Sequence, residues 1–147
     1  KEVLIIPGNH ESITTIELLS ALYPNTKSLH GESLKKGELG IFGAGFADIG
    51  IHAISDKEIF DLLKKSHEKI KDAKRKIMVT HMPPRGSKSE ILSGFKGSES
   101  VRKAIEYFKP DIAISSHIHE ASGVEEKIGN TWVINVSRKE IIFEVEV

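Results

Sequence analysis

Three short apolar runs, each closed by a polar cluster that contains histidine, constrain this chain more than any other feature. Val3-Leu4-Ile5-Ile6 runs into Pro7-Gly8-Asn9-His10, Lys76-Ile77-Met78-Val79-Thr80 into His81, and Ile112-Ala113-Ile114 into Ser115-Ser116-His117-Ile118-His119. Apolar runs of this length bounded by turn residues read as buried strands. Helical patterns lie between them, and strand–helix–strand alternation implies a layered α/β domain. In open sheets of that kind, ligands bind outside the carboxyl ends of the strands. The three clusters are therefore expected to meet in one crevice.

The intervening segments carry readable boundaries. Ser12 is placed to cap a helix whose Ile13, Ile16, Leu19 and Leu22 keep helical spacing until Pro24. From Lys27 to Phe46, apolar stretches punctuated by glycine suggest hairpins. Ser55 and Glu58 form a capping box before an apolar stripe of Ile59, Leu62, Leu63 and Ile70, predicting a helix to about Ala73. Arg85 to Gly97 reads as a long surface loop, and long loops in compact domains are often functional. Ser98 caps a helix carrying Val101, Ala104, Ile105 and Phe108, which Pro110 ends. Thr131–Val136 and Glu140–Val147 alternate like two antiparallel strands. Residues 1–147 are expected to form a single domain, and a core strand so close to the first residue suggests the later part of a longer one.

Charge and composition remove several classes of function. The 21 Lys and Arg balance 21 Asp and Glu, with 39% hydrophobic residues, which is a globular composition with no overall field for polyanions. No apolar run approaches a membrane span, so a soluble cytoplasmic protein is expected. Without cysteine, any metal must be held by His, Asn, Asp or Glu.

A single histidine at a strand end is usually structural, but four of the seven fall directly after three strands. His117 and His119, two apart in extended chain, point the same way and can serve one metal site or two adjacent ones. Asn9 offers a hard carbonyl oxygen after Gly8, or else simply forms an Asx turn. His10, diverging from Asn9, suits a substrate-facing acid or phosphate donor. Glu11 either orients His10 or is a favourable acid at a helix start. His30, His52 and His67 read as structural or exposed. Arg85, Lys88 and Lys96 could touch a phosphate, though solvated loop charges are the commoner role. Gly43-x-Gly45-x-x-Asp48 matches only the first half of a dinucleotide fingerprint, and turn glycines explain it better.

Gly8-Asn9-His10-Glu11, Thr80-His81-Met82-Pro83-Pro84 and Ser116-His117-Ile118-His119 resemble, in order, the last three of the five motifs of the calcineurin-like metallophosphoesterases. The resemblance spans Leu4 to about Val136. It implies a four-layer α-β-β-α sandwich, here N-terminally truncated, with two divalent ions (Mn, Fe, Zn, Co or Ni) at the strand ends. By position, Asn9, His81 and His117 resemble ligands of one ion and His119 a ligand of the other, while His10 resembles the catalytic histidine. The activity implied is phosphodiester or phosphomonoester hydrolysis by a hydroxide activated between the two metals.

Two departures qualify that picture. No Asp-x-His or Gly-Asp-x-x-Asp occurs in these residues, so the bridging carboxylate would come from a preceding segment of the same domain, and the chain alone is expected to hold metal weakly. Ser116 stands where the family has Gly, which raises a cost if that position needs positive φ. The expected partners are a small phosphoester and the missing N-terminal segment, with homodimerisation through edge strands open and no membrane. A non-catalytic scaffold of the same fold is the first alternative. A nuclease is the second, ranked lower because 6% aromatic residues and zero net charge offer little to a nucleic-acid strand.

Overall fold

The computed structural model describes residues 1–146. Its elements in chain order are β1 (Val3–Ile5), α1 (Ile13–Leu22), β2 (Thr26–Ser28), β3 (Ser33–Lys36), β4 (Leu39–Ala44), α2 (Asp56–Glu68), β5 (Arg75–Thr80), α3 (Lys88–Ser93), α4 (Glu99–Phe108), β6 (Ile112–Ser115), β7 (Glu125–Ile128) and β8 (Thr131–Asn135). A 3-10 turn, His119–Ala121, follows β6. Six strands form one sheet in the order β3-β4-β5-β6-β8-β7, and β1 and β2 pair separately and in parallel. Strands β4, β5, β6 and β8 are parallel, with antiparallel β3 and β7 at the edges.

Register builds the core. Phe42, Met78, Ala113 and Val133 stand opposite one another across the four parallel strands. All four are buried in one cluster with Ile59 and Leu63 of α2 and Val101, Ala104, Ile105 and Phe108 of α4. Period-two alternation places the next set, Ile41, Val79, Ile114 and Trp132, on the opposite face, where each is only half-buried. Leu29, just beyond β2, approaches Gly43 of β4, and His30 bridges Gly43, which ties the small sheet to the large one. Helix α1 packs on β2. Helices, six-stranded sheet, two-stranded sheet and helix give the four layers expected.

The helix caps follow from local chemistry. Ser12, Ser55, Ser87 and Ser98 each accept a backbone N–H with their hydroxyl, and Ser55–Glu58 forms the full capping box. Asp56 accepts the Ser100 N–H at 2.8 Å and also the Ser98 hydroxyl, so the starts of α2 and α4 are joined.

Several expectations are corrected. Helix α2 ends at Glu68 rather than near Ala73, because the chain leaves the helix in successive turns that still bury Ile70. The stretch 85–97 contains α3, whose Ser87-x-x-Glu90 start is a cap signal amid Ser, Lys and Gly. Strand β8 pairs not with the tail but with β7, through the Gly129-Asn130 turn. The segment 140–146 forms no strand, and its alternation reflects packing, since the Phe143 ring meets Trp132 at 5.8 Å; Val147 lies outside the described residues. Gly43 and Gly45 are not turn glycines. A Cβ on Gly43 would stand 2.4 Å from the Val79 carbonyl oxygen, and one on Gly45 would stand 2.3 Å from that of Pro7. Close backbone approach is what excludes a side chain there.

Candidate metal centre

The carboxyl ends of β1, β5 and β6 converge, and their polar residues meet. Asn9 Oδ1 lies 2.9 Å from His81 Nε2, and His117 Nδ1 lies 3.0 Å from that same nitrogen. The rings of His81 and His117 meet edge to face, with centroids 4.8 Å apart. Among the described residues no group of three or more His, Asp or Glu side chains stands together as a metal cage, so the cluster is two imidazoles and one amide oxygen.

Each donor is fixed by its surroundings. Gly45 lies directly against Pro7, and Phe46 N–H donates to the Pro7 carbonyl at 2.8 Å, which anchors the chain just before Asn9. Gly8 lets His81 approach, because a Cβ there would lie 3.2 Å from the ring's Cε1. Glu11 accepts the Gly8 N–H at 2.9 Å, so its role is to hold this turn. His81 follows β5, and its carbonyl accepts the Ser116 N–H at 3.0 Å, which links the second strand end to the third.

The loop after β6 holds the least ordinary backbone. His117 has φ 66°, in the left-handed region, while Ser116 does not. The cost expected at Ser116 thus falls on the next residue, where a non-glycine in that conformation stores on the order of 1 kcal/mol or more. Asn135, buried at the end of β8, restrains it: its Nδ2 donates to the Ile118 carbonyl and its Oδ1 accepts the Ser137 N–H, both at 2.9 Å. Because His117 is left-handed and His119 begins the 3-10 turn, 117–119 is not extended. The extended geometry expected for this pair is therefore not the one it adopts. His119 stays exposed and lines the same small cleft as His117 without joining the cluster.

Burial disfavours the protonated form of both imidazoles. Burial, with smaller contributions from His117, His10 and His119 and opposed by Glu11, pushes His81 down to about 4. His117 is lowered chiefly by burial, with Asp48 opposing. Neutral imidazoles present the lone pairs a cation needs. The donor spacing fits one as well, since cis ligands of an octahedral ion at about 2.1 Å stand about 3 Å apart. One N–H at His81 Nε2 cannot serve two acceptors at full strength, whereas a cation among the three atoms satisfies all of them.

His10 is exposed, and its Nε2 accepts from the Asn9 amide nitrogen at 3.3 Å. Sharing that amide leaves Asn9 Oδ1 turned toward His81. Asp48, whose charge acts on His117, was visible in the sequence only as the end of a glycine pattern set aside. Asn135 gave no sequence signal beyond a polar residue closing an apolar strand. Two of the three loop cations are engaged elsewhere: Arg85 pairs with Glu90 at 3.2 Å and Glu99 at 3.7 Å, and Lys88 Nζ donates to the Glu125 carbonyl at 3.5 Å, while Lys96 makes no side-chain pair among the described residues. His30 Nδ1 accepts the Gly45 N–H at 3.0 Å, a structural role, and His67 stacks on Phe108 with centroids 4.4 Å apart.

An amide oxygen and two imidazoles are thus gathered at the strand ends of a layered α/β domain. Residues 1–121 match the calcineurin-like phosphoesterase family, and the chain belongs to it. Members of this family are, as a class, metal-dependent phosphoester hydrolases. Solved structures share the fold at low identity. TT1561 of Thermus thermophilus is 18% identical, with a TM-score of 0.68 over 91% of this chain and 62% of that one. A Staphylococcus aureus protein assigned as a 5′-nucleotidase is also 18% identical, with a TM-score of 0.59 over 90% of this chain and 32% of its own. The sulfate thiohydrolase SoxB of Thermus thermophilus is 12% identical, with a TM-score of 0.52 over 92% and 28%. The chain thus spans less than two thirds of the length of each. No curated protein matches it. No helix among the described residues is long and apolar enough to cross a membrane.

Proposed function

We propose that this chain carries part of the active site of a metal-dependent phosphoester hydrolase, with Asn9, His81 and His117 as ligands of one divalent ion. The convergence of three donors from three strand ends at 2.9 and 3.0 Å carries that reading. Mixed amide and imidazole donors suit Mn, Fe, Zn, Co or Ni. A bound divalent ion supplies Lewis-acid polarisation of the phosphoryl group and a more acidic water.

The chain's own groups would do the rest. His10, exposed beside Asn9, would give a proton to the departing oxygen. Asn135 and Ser116 hold His117 in its left-handed conformation, so the imidazole is oriented before substrate arrives. His119, at the mouth of the cleft, is our candidate for a second ion or for a phosphate oxygen.

The cluster contains no carboxylate, so we propose that carboxylate ligands come from polypeptide outside these residues. Two surfaces support this. Helix α1 exposes Ile13, Leu18, Leu22 and the adjacent Tyr23, and on one face of the large sheet Ile41, Val79, Ile114 and Trp132 are only half-buried. A further strand and helix would bury both.

The test is hydrolysis of bis(p-nitrophenyl) phosphate and p-nitrophenyl phosphate by the full-length protein supplied with Mn, Fe, Zn, Co or Ni in turn. Turnover is expected, with a loss of at least about 100-fold in His81→Ala and His117→Ala. If neither ester is hydrolysed with any of these metals, the scaffold reading replaces this one.

A further inference from the structure

Two large apolar side chains stand where a polar site would not call for them. A cleft of about 200 Å³ beside the histidine cluster is lined by Ile49, Phe95, His117, Ile118, His119 and Glu120. Ile49 and Phe95 are 54% and 57% exposed, so neither serves the core. They come from distant loops, one after β4 and one between α3 and α4, and reach the same cleft as His117 and His119.

The Phe95 loop is fixed in place. Phe95 N–H donates to Ser93 Oγ at 3.1 Å, and Gly94, left-handed at φ 77°, closes α3 through its N–H on the Glu90 carbonyl. Glu90 Oε2 accepts both the Gly86 and Gly97 N–H groups at 2.9 Å, and so clamps the loop on either side of Phe95. The backbone that carries Phe95 is thus set before a ligand arrives, which reduces the ordering cost of binding.

Size and charge narrow the ligand. A cavity of about 150 Å³ accepts benzene, so one of this volume holds a single six-membered ring and little more. No Lys or Arg lines the cleft among the described residues, Glu120 does, and the Asp48 charge acts on His117 from nearby. The organic side of a ligand would therefore find no fixed cation among the lining residues to hold a second phosphate.

Resting on the phosphoesterase reading, we infer that the site takes phosphoesters whose organic group is a single uncharged apolar ring, seated between Ile49 and Phe95 with the phosphoryl oxygens toward His117 and His119. The full-length protein in excess Mn is titrated calorimetrically with phenylphosphonate and methylphosphonate. Phenylphosphonate is expected to bind about tenfold more tightly, and Phe95→Ala to reduce that preference to about twofold. Equal affinities, or a preference retained in both Phe95→Ala and Ile49→Ala, overturn the inference. So does a dimer that Phe95→Arg dissociates without altering the preference, which would assign the rings to a second copy. Hydrolysis separates the two readings. A phenyl preference in binding with no turnover of phenyl or methyl phosphate leaves the cleft assignment standing and ends the hydrolase reading. Turnover of both esters with equal kcat/KM does the reverse.

Discussion

Asn135 is the residue through which stability and site geometry are joined, and Asn135→Leu tests that connection. The side chain is 1% exposed and makes two hydrogen bonds of 2.9 Å, to the Ile118 carbonyl and from the Ser137 N–H. Leucine has similar bulk but pairs with neither, so two backbone groups are left unsatisfied at about 1–3 kcal/mol each. Burial of the apolar side chain returns about 1 kcal/mol, for a net loss of about 3 kcal/mol. At about 3 °C per kcal/mol for a chain of this size, Tm should fall by roughly 9 °C. Ile118 follows the left-handed His117, so releasing its carbonyl frees that residue to relax, and Mn affinity should fall by about tenfold or more. Urea denaturation and Mn titration of the folded variant read the two effects separately. A stability change below about 0.5 kcal/mol refutes the hydrogen-bond reasoning. Unchanged Mn affinity in a destabilised variant refutes the positioning role.

Gly45→Ala should destabilise by about 2 kcal/mol, since the new Cβ would stand 2.3 Å from the Pro7 carbonyl oxygen and neither backbone can yield cheaply; a urea midpoint equal to wild type would count against this. His67 Nε2 is buried without a partner, and burial is the first cause lowering its pKa, ahead of Lys76. The folded state therefore binds fewer protons than the unfolded chain, and stability is lost as pH falls below about 6.5. His67→Phe should keep the stack on Phe108, raise stability by about 1 kcal/mol and remove this residue's share of the stability lost between pH 7 and 5, as measured by thermal unfolding. His81, held down to about 4, stays neutral through the mildly acid range, so protons should compete with metal at this ligand only as pH approaches that value. Loss of Mn affinity centred near pH 6.5 would contradict the burial of its ring.

Legibility in the sequence followed the physics of burial. Strands β1, β5 and β6 were readable because each is a run of apolar residues with abrupt polar ends, and Asn9, His81 and His117 were legible as their exits. Strand β7 was hidden because Glu125-Glu126-Lys127 is a polar edge strand whose only marks are Ile128 and the Gly129-Asn130 turn. The tail misled in the opposite direction, since Phe143 alternates with polar neighbours to meet Trp132 without pairing in the sheet. The left-handed His117 and its support from Asn135, some 18 residues later, depend on tertiary hydrogen bonds that no local pattern encodes. The same holds for the Ile49–Phe95 cleft, which joins loops on opposite sides of two helices and a strand.

The most direct measurement is anomalous diffraction from crystals of the full-length protein soaked in Mn. The account predicts an anomalous peak within about 2.0–2.3 Å of Asn9 Oδ1, His81 Nε2 and His117 Nδ1 together. Peaks confined to other positions, with none at these three atoms in a protein that hydrolyses phosphoesters, would contradict it.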